Sequence, residues 1–210
     1  MTDRRTIVEV FCEECVWARA VRNHFEALYE RSERRRELLS EVANTFFGDL
    51  NIILIDYLLL QLCKLTDPAG SRPDRTNLTT NYILGLEWSS ETREALACAN
   101  AELLAFRSKI VDARRKLIAH LDVNARLAST GLGSFSEDDE VAFWSALQDF
   151  VNAAHSEAIG EPFEIDASMP AGDVENLVHS LKEAVDYSDI IEDDPRFLRT
   201  RAHAMRYKDA

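Results

Sequence analysis

Glycine and proline are scarce in this sequence, with seven glycines and five prolines among 210 residues. Because both residues disfavour the interior of a helix, their scarcity leaves long stretches free to be helical. The sequence also lacks a glycine-rich phosphate loop, G-x-S-x-G and H-E-x-x-H, so the usual signatures of P-loop nucleotide binding, serine hydrolysis and zinc proteolysis are missing. The hydrophobic fraction of 46% suffices for a packed core. We therefore predict an all-α fold.

A long apolar run without polar residues is lacking too. The closest stretch, residues 50–65, contains four polar or charged side chains, namely Asn51, Asp56, Gln61 and Lys64. A membrane-crossing helix needs about 20 predominantly apolar residues, so we interpret this stretch as a buried helix and expect no membrane contact. The N-terminal MTDRRTIVEV lacks the continuous apolar region of a secretory signal. A cytoplasmic location is therefore expected.

The four cysteines do not show the paired pattern of a zinc site. Cys12 and Cys15 make one C-x2-C, but no second pair follows, and Cys63 and Cys98 stand alone within apolar segments. A structural zinc site needs four ligands with paired spacing. We therefore favour buried free thiols in a reducing compartment over a metal site, and we expect no cofactor.

The net charge of −13 is unevenly distributed. Residues 1–120 carry 17 Lys and Arg against 18 Asp and Glu, whereas residues 121–210 carry 7 against 19. A surface that binds nucleic acid non-specifically is basic, and the chain as a whole is not. Contact with RNA would therefore be local, or the acidic second part would shield a basic patch or bind a basic partner. The local cations are Arg107, Lys109, Arg114, Arg115 and Lys116.

Apolar residues at helical spacing divide the chain into helices separated by polar segments. The first helix is predicted over residues 4 to about 30, and the second, with Ser32 as its N-cap, ends at about residue 65. Asn77 is the candidate cap of a short helix over residues 78–86. The remaining helices are predicted from residue 89 or 90 to 120, from 136 to about 160, and from about 171 to 187.

The second helix is apolar on nearly all sides from residue 46 onward, so we predict that other helices enclose it. Asp49 and Asp56 interrupt it at a spacing of seven, which places them on one stripe. Buried carboxylates need partners, and Arg107 and Arg114 have the same spacing on the apolar face of the fourth helix. We predict antiparallel packing that pairs Asp49 with Arg114 and Asp56 with Arg107. These pairs either fix the register of the helices or assist a nearby site.

Two side chains near the end of the fourth predicted helix, Arg115 and His120, form an Arg-x4-His pair within RRKLIAHLD. Histidine exchanges a proton near neutral pH, and arginine is a fixed cation. Five residues advance a helix by about 500°, so the two side chains point about 140° apart. A local distortion or a second copy across a two-fold axis is needed to bring them to one point. The alternative is that His120 only complements the helix dipole.

The Arg-x4-His pair, the upstream TFFGDLNIILIDYLLLQLCKLTDP and the intervening NLTTNYIL together resemble the AbiU-type abortive-infection branch of the HEPN superfamily. The resemblance covers roughly residues 33–125, a little under half of the chain. It implies a HEPN-like bundle of long antiparallel helices over residues 1–130. Residues 131–210 would then form an acidic helical extension packed on that bundle.

The resemblance implies a metal-independent endoribonuclease of a toxin–antitoxin or phage-defence system. In such enzymes the 2′-hydroxyl of RNA attacks the adjacent phosphorus, which leaves a 2′,3′-cyclic phosphate and a 5′-hydroxyl. His120 would transfer the proton, and Arg115 would stabilise charge on the phosphoryl oxygens. Members usually form homodimers in which two motifs meet in one cleft. Arg114 and Lys116 are candidates for phosphate contact, and Asp122 is a candidate for orienting a side chain across the cleft.

Two positions depart from the pattern of the family. Lys116 stands where a polar residue often follows the arginine, and Asp122 stands where some members carry a tyrosine that is silenced by nucleotidyl transfer. That silencing route should therefore be absent, although a toxin would still need a neutralising protein partner. Two other functions stay open: a non-catalytic helical module that binds a nucleotide or a protein, and a regulator that binds a basic partner through residues 137–194.

Overall fold

The computed structural model describes residues 3–70, 76–113, 134–166 and 173–193, and within these ranges every regular element is a helix. The prediction of an all-α fold is confirmed. The helices are α1 (Arg4–Phe25), which a π-helical turn (Glu26–Glu30) continues, α2 (Glu33–Thr66), α3 (Thr80–Leu84), α4 (Ser90–Ala113), α5 (Glu137–Ile159) and α6 (Val174–Asp193).

Polar caps begin several helices at the predicted residues. The hydroxyls of Ser32 and Ser89 each accept a hydrogen bond from a backbone N–H three residues further on, at 3.3 Å and 3.2 Å. Ser136 and Asp139 form a reciprocal capping box at the start of α5, and Gly160 ends that helix in a left-handed conformation (φ 107°). Each cap satisfies backbone groups that the helix itself leaves unpaired.

α3 is capped by a residue other than the predicted one. Thr79 adopts an extended backbone (φ −141°, ψ 170°), and its hydroxyl accepts a hydrogen bond from the Tyr82 N–H. Asn77 instead closes the preceding loop, since its backbone N–H donates to Ala69 O (2.8 Å) and its side chain donates to Pro68 O (3.2 Å). The prediction of Asn77 as the cap is wrong because short polar side chains serve turns as well as caps.

The chain forms two compact units, unit 1 from residues 1–23 and 52–168 and unit 2 from residues 24–51 and 169–210. In unit 1, α4 and α5 pack along each other. The rings of Phe11 on α1 and Phe150 on α5 meet edge to face with their centroids 5.8 Å apart, and both side chains are fully buried. The helix α5, which the sequence analysis assigned to the extension, therefore shares the core of unit 1 with α1 and α4.

Charged side chains also fasten α1 to α5 in unit 1. Arg22 pairs with Glu140, and Arg19 donates to Asp166, beyond the end of α5, at 2.9 Å. The hydrogen bond from Arg19 lowers the pKa of Asp166. The Arg19 guanidinium lies 5.1 Å from the ring centroid of Trp144 on α5. Arg19 therefore links α1 to α5 by a cation–π contact and to the segment after α5 by an ion pair.

In unit 2, the Asp173 carboxylate begins α6 by accepting hydrogen bonds from the N–H groups of Glu175 (2.9 Å) and Asn176 (3.3 Å). The helix continues to residue 193, beyond the predicted end at 187. The Glu175 carboxylate receives Arg35 at 2.9 Å and Arg31 at 3.0 Å, and the Arg35 hydrogen bond is the main cause of its lowered pKa. These ion pairs hold the start of α6 against the start of α2.

The prediction that α2 is enclosed on all sides is wrong between residues 46 and 56. Phe46 (62%), Ile52 (60%) and Ile53 (60%) are largely exposed, and only residues 58–66 are mostly buried. The backbone also leaves helical geometry at Ala43 (φ −160°, ψ 71°). Apolar residues on every side of a helix make burial of each side favourable. They do not determine which neighbouring element covers each side.

The helix α2 is also long and apolar enough to cross a membrane. It has 34 residues, and its most apolar 18-residue window has a mean hydropathy of 1.6 with 22% of that window buried. The finding rests on length and composition alone. The core helix of a soluble protein, most of which is buried, meets the same test. The expectation that the chain does not contact a membrane stays a prediction.

We predict that Phe150→Ala lowers the free energy of unfolding by about 3–5 kcal/mol, because it leaves a cavity beside Phe11. Urea denaturation of the full chain measures this change. Val141→Ala, at a 64% exposed position on the same helix, is the matched control and should cost less than about 0.5 kcal/mol. Equal effects of the two substitutions would contradict the core described above.

Candidate functional site

The residues of the predicted motif lie outside the part of the chain that the structure describes. They follow α4 after residue 113, and their predicted roles stay predictions. The structure does describe α4 up to that point, together with the contacts that fix its C-terminal half in unit 1. The residues in question are Arg114, Arg115, Lys116, His120 and Asp122.

Arg107 makes the ion pair that holds the C-terminal half of α4. Its Nη2 donates to Asp67 Oδ1 at 2.7 Å, and the exposed fractions of the two side chains are 22% and 16%. Asp67 directly follows the last residue of α2. The pair therefore ties the end of α2 to α4, and its partial burial makes this charge-assisted hydrogen bond stronger than one in bulk water.

Asp67 takes the place that the sequence analysis assigned to Asp56. Asp49 and Asp56 are exposed, so the premise that both carboxylates are buried in a central helix is wrong, and Arg107 pairs with Asp67 instead. A seven-residue spacing identifies one stripe on a helix, but it does not determine how far two helices slide along each other. The predicted pairing of Asp49 with Arg114 falls outside the described residues.

A network of amides adjoins this ion pair. The Asn81 side chain on α3 donates from Nδ2 to the carbonyl oxygens of Thr66 (3.3 Å) and Asp67 (3.2 Å). Its Oδ1 accepts a hydrogen bond from Asn100 Nδ2 on α4 (3.2 Å). The Asn81 side chain thereby satisfies carbonyls at the end of α2, which have no partner within the helix, and Asn100 on α4 orients that side chain.

Sequence reasoning missed both asparagines, although a signal was present. Asn100 lies on the same apolar stripe of α4 as Leu96 and Leu103, and all three are buried. A buried amide requires a hydrogen-bond partner, so its position on that stripe pointed to a polar junction. Among the described residues, Asn100 Oδ1 and Arg107 Nε are buried without a hydrogen-bond partner. One acceptor and one donor at this junction therefore have unused hydrogen-bonding capacity.

The described cations that precede the motif are neutralised by carboxylates. Besides the pair of Arg107 with Asp67, Lys109 Nζ lies 2.7 Å from Asp139 Oδ1 on α5. The hydrogen bond from Lys109, followed by that from the Ser136 backbone, lowers the pKa of Asp139 to about 2. Two of the five local cations are therefore occupied within the chain. The other three lie outside the described residues: Arg114, Arg115 and Lys116.

A cavity of about 520 Å³ opens beside Asp67 in unit 1. Its charged lining residues have both signs, with Glu14 and Asp67 against Lys64. The Lys64 ammonium already donates to Gln61 Oε1 at 3.1 Å. A phosphate needs an excess of cations and donors, and the described lining residues do not supply that excess.

The described ranges contain no group of three or more His, Cys, Asp and Glu residues that could hold a metal ion. Cys12, Cys15 and Cys63 are buried free thiols, as predicted, whereas Cys98 is exposed and that part of the prediction is wrong. Burial raises the pKa of Cys12 to about 12 and the pKa of Cys15 well above its usual value. Both thiols therefore stay protonated near neutral pH, which makes them poor ligands.

We predict that Asp67→Asn and Arg107→Met each destabilise the chain and that their effects are coupled. A hydrogen bond to a charged group contributes about 1.5–3 kcal/mol, so the double variant should lose at least about 1 kcal/mol less than the sum of the single variants. Urea denaturation of the four proteins measures this difference. Glu91→Gln, at an exposed position in the first turn of α4, is the control, and strictly additive effects would refute the ion pair.

Comparison with known proteins assigns the chain to a family. The family model HEPN_AbiU2, described as AbiU2, matches residues 1–177. Neither the curated proteins nor the solved structures that were searched gave a match. The matched range includes α1 to α5 and every residue of the predicted motif, and it extends well beyond the segment that carried the resemblance. The chain therefore belongs to the HEPN_AbiU2 family and contains an abortive-infection-type HEPN domain.

Proposed function

We propose that this chain is a metal-independent endoribonuclease of a phage-defence or toxin–antitoxin system, acting through Arg115 and His120. The observation that carries the proposal is the family match over residues 1–177, which includes the whole Arg-x4-His motif. The all-α fold supports it, because α4 leads to the motif and is anchored by Arg107 only eight residues before Arg115.

The two motif residues supply the groups that the reaction needs. The 2′-hydroxyl of RNA loses a proton as its oxygen bonds to the adjacent phosphorus, the bond from phosphorus to the 5′-oxygen breaks, and that oxygen takes up a proton. His120 exchanges a proton near neutral pH and serves one of these transfers. Arg115 donates to the non-bridging oxygens as negative charge develops on them. The products are a 2′,3′-cyclic phosphate and a 5′-hydroxyl.

We propose that two copies of the chain share each active site. In the helix predicted from the sequence, Arg115 and His120 would point about 140° apart, so a two-fold axis is the simplest way to bring His120 of one subunit to Arg115 of the other. In this arrangement Arg114 and Lys116 contact neighbouring phosphates, and Asp122 orients a side chain across the cleft. We place this homodimer in the cytoplasm, where a neutralising protein would hold it inactive.

The RNA contact in this proposal is small. The chain has a net charge of −13, and the carboxylates of Asp67 and Asp139 already neutralise Arg107 and Lys109. Affinity from a broad basic surface is therefore excluded for this part of α4. The same neutralisation favours the second candidate function, a non-catalytic HEPN module that binds a nucleotide or a protein partner.

Cleavage of a labelled mixed-sequence RNA in EDTA tests the nuclease. The wild type should produce cyclic-phosphate ends, and His120→Ala and Arg115→Ala should each lower the rate by about 100-fold or more, because each removes a group that acts in the transition state. His179→Ala is the matched control, since this histidine is 73% exposed on α6, and it should leave the rate unchanged.

Two outcomes would count against the nuclease. A folded wild type that cleaves neither this RNA nor total cellular RNA would favour the binding module. Cleavage that survives both His120→Ala and Arg115→Ala would assign the activity to other residues.

A further inference from the structure

The cavity beside Asp67, which we call the polar cavity, adjoins a second cavity in unit 1. The polar cavity has a volume of about 520 Å³. The second cavity, which we call the apolar cavity, has a volume of about 280 Å³, and its wall includes Ile7 and Tyr82. Small-molecule sites typically have volumes of about 300–1,000 Å³, so the two together are large enough for such a ligand. The residues common to both walls are Val10, Thr76 and Leu78.

Two opposite charges line the polar cavity without pairing with each other. Glu14 on α1 and Lys64 on α2 both belong to its wall, and among the described residues neither forms an ion pair. Lys64 instead donates to Gln61 Oε1 at 3.1 Å, which uses one of the three N–H groups of its ammonium. The polar cavity therefore offers a ligand both a carboxylate and an ammonium.

Gln61 adds a buried amide to the same wall. Its side chain belongs to a residue that is only 5% exposed, and it lines the polar cavity. Its Oε1 accepts the hydrogen bond from Lys64, whereas its Nε2 has no acceptor within the described part of the chain. A buried amide favours a partner for each of its polar atoms, so this donor is available to a ligand beside the Lys64 ammonium.

The third charged residue of the wall, Asp67, is neutralised by Arg107 at 2.7 Å. The charge that a ligand meets is therefore one carboxylate and one ammonium. A simple anion would be repelled by Glu14, and a simple cation would be repelled by Lys64. A zwitterion gives each of these two side chains an opposite charge.

The apolar cavity determines what else the ligand carries. Its described wall has no charged residue and combines aliphatic and aromatic side chains with two threonines. Such a wall suits a hydrocarbon or aromatic group, and the Tyr82 ring offers a surface for aromatic contact. A ligand that fills both cavities is therefore a zwitterion with an apolar side chain.

We propose that unit 1 binds a free α-amino acid with an apolar side chain. The ligand's ammonium donates to the Glu14 carboxylate, and its carboxylate accepts from the Lys64 ammonium and Gln61 Nε2. Its side chain occupies the apolar cavity beside Tyr82. Asn77 holds the loop side of the site in place, because its backbone N–H donates to Ala69 O at 2.8 Å and its side chain donates to Pro68 O at 3.2 Å.

Three phenyl compounds test the need for both charges. L-Phenylalanine carries both charged groups, phenethylamine lacks the carboxylate, and 3-phenylpropanoate lacks the ammonium. In ligand-observed NMR titrations of the full chain, L-phenylalanine should bind at least about tenfold more tightly than either analogue, because each analogue leaves one charged group of the site unpaired. An analogue that binds as tightly as L-phenylalanine would overturn the proposal of a zwitterion site.

Substitution of each charged wall residue assigns the two contacts. Glu14→Gln should weaken binding of L-phenylalanine about tenfold without weakening 3-phenylpropanoate, and Lys64→Met should weaken L-phenylalanine by a similar factor without weakening phenethylamine. Glu13→Gln is the matched control, because Glu13 is exposed on α1 and lies outside the wall of the cavity. It should leave every affinity unchanged. Binding of L-phenylalanine that survives both Glu14→Gln and Lys64→Met would place the ligand elsewhere.

A substitution in the apolar cavity tests the position of the side chain. Thr6 is exposed and belongs to the wall of this cavity, so Thr6→Trp should fill it without disturbing the core. This variant should weaken L-phenylalanine about tenfold and leave L-alanine unaffected, because the methyl group of alanine does not reach the filled space. Equal losses for the two amino acids would refute this placement. A folded wild type that binds neither L-phenylalanine nor L-leucine would refute the site as a whole.

Discussion

One polar junction at the end of α2 determines how the described part of unit 1 leads to the motif. Arg107 reaches Asp67 at 2.7 Å, and Asn81 joins the carbonyls of Thr66 and Asp67 to Asn100. A hydrophobic contact tolerates sliding, whereas hydrogen bonds with fixed directions do not. The junction therefore fixes the axial position of the described part of α4 relative to the end of α2.

The features that were predictable from sequence are those that depend on a few consecutive residues. Ser32, Ser89 and Ser136 were recognisable as caps because a cap needs one oxygen and a backbone N–H three residues further on. The failures concern relations between helices. The sequence pattern allows either Asp56 or Asp67 as the partner of Arg107. The axial position of α2 relative to α4 determines that Arg107 pairs with Asp67.

The exposed middle of α2 shows the same distinction. The composition of this stretch predicted burial on every side, but Phe46 and Ile53 are exposed while Phe47 is buried. The predicted site adds a second relation that one sequence does not define, because a helix that carried both Arg115 and His120 would point them about 140° apart. The homodimer that we propose would bring the two side chains together across its two-fold axis. Because Asp67 and Asp139 neutralise Arg107 and Lys109, the RNA contact in our proposal would depend on the motif itself.

The central claim is a ribonuclease site built from two subunits, and a mixed dimer tests it most directly. Two differently tagged chains, one with His120→Ala and one with Arg115→Ala, are co-expressed, and the heterodimer is isolated through both tags. In a shared site one of the two active sites is intact, so the heterodimer should cleave RNA at about half the wild-type rate while both mutant homodimers are inactive. An inactive heterodimer beside an active wild type would place both residues in one subunit and contradict the account.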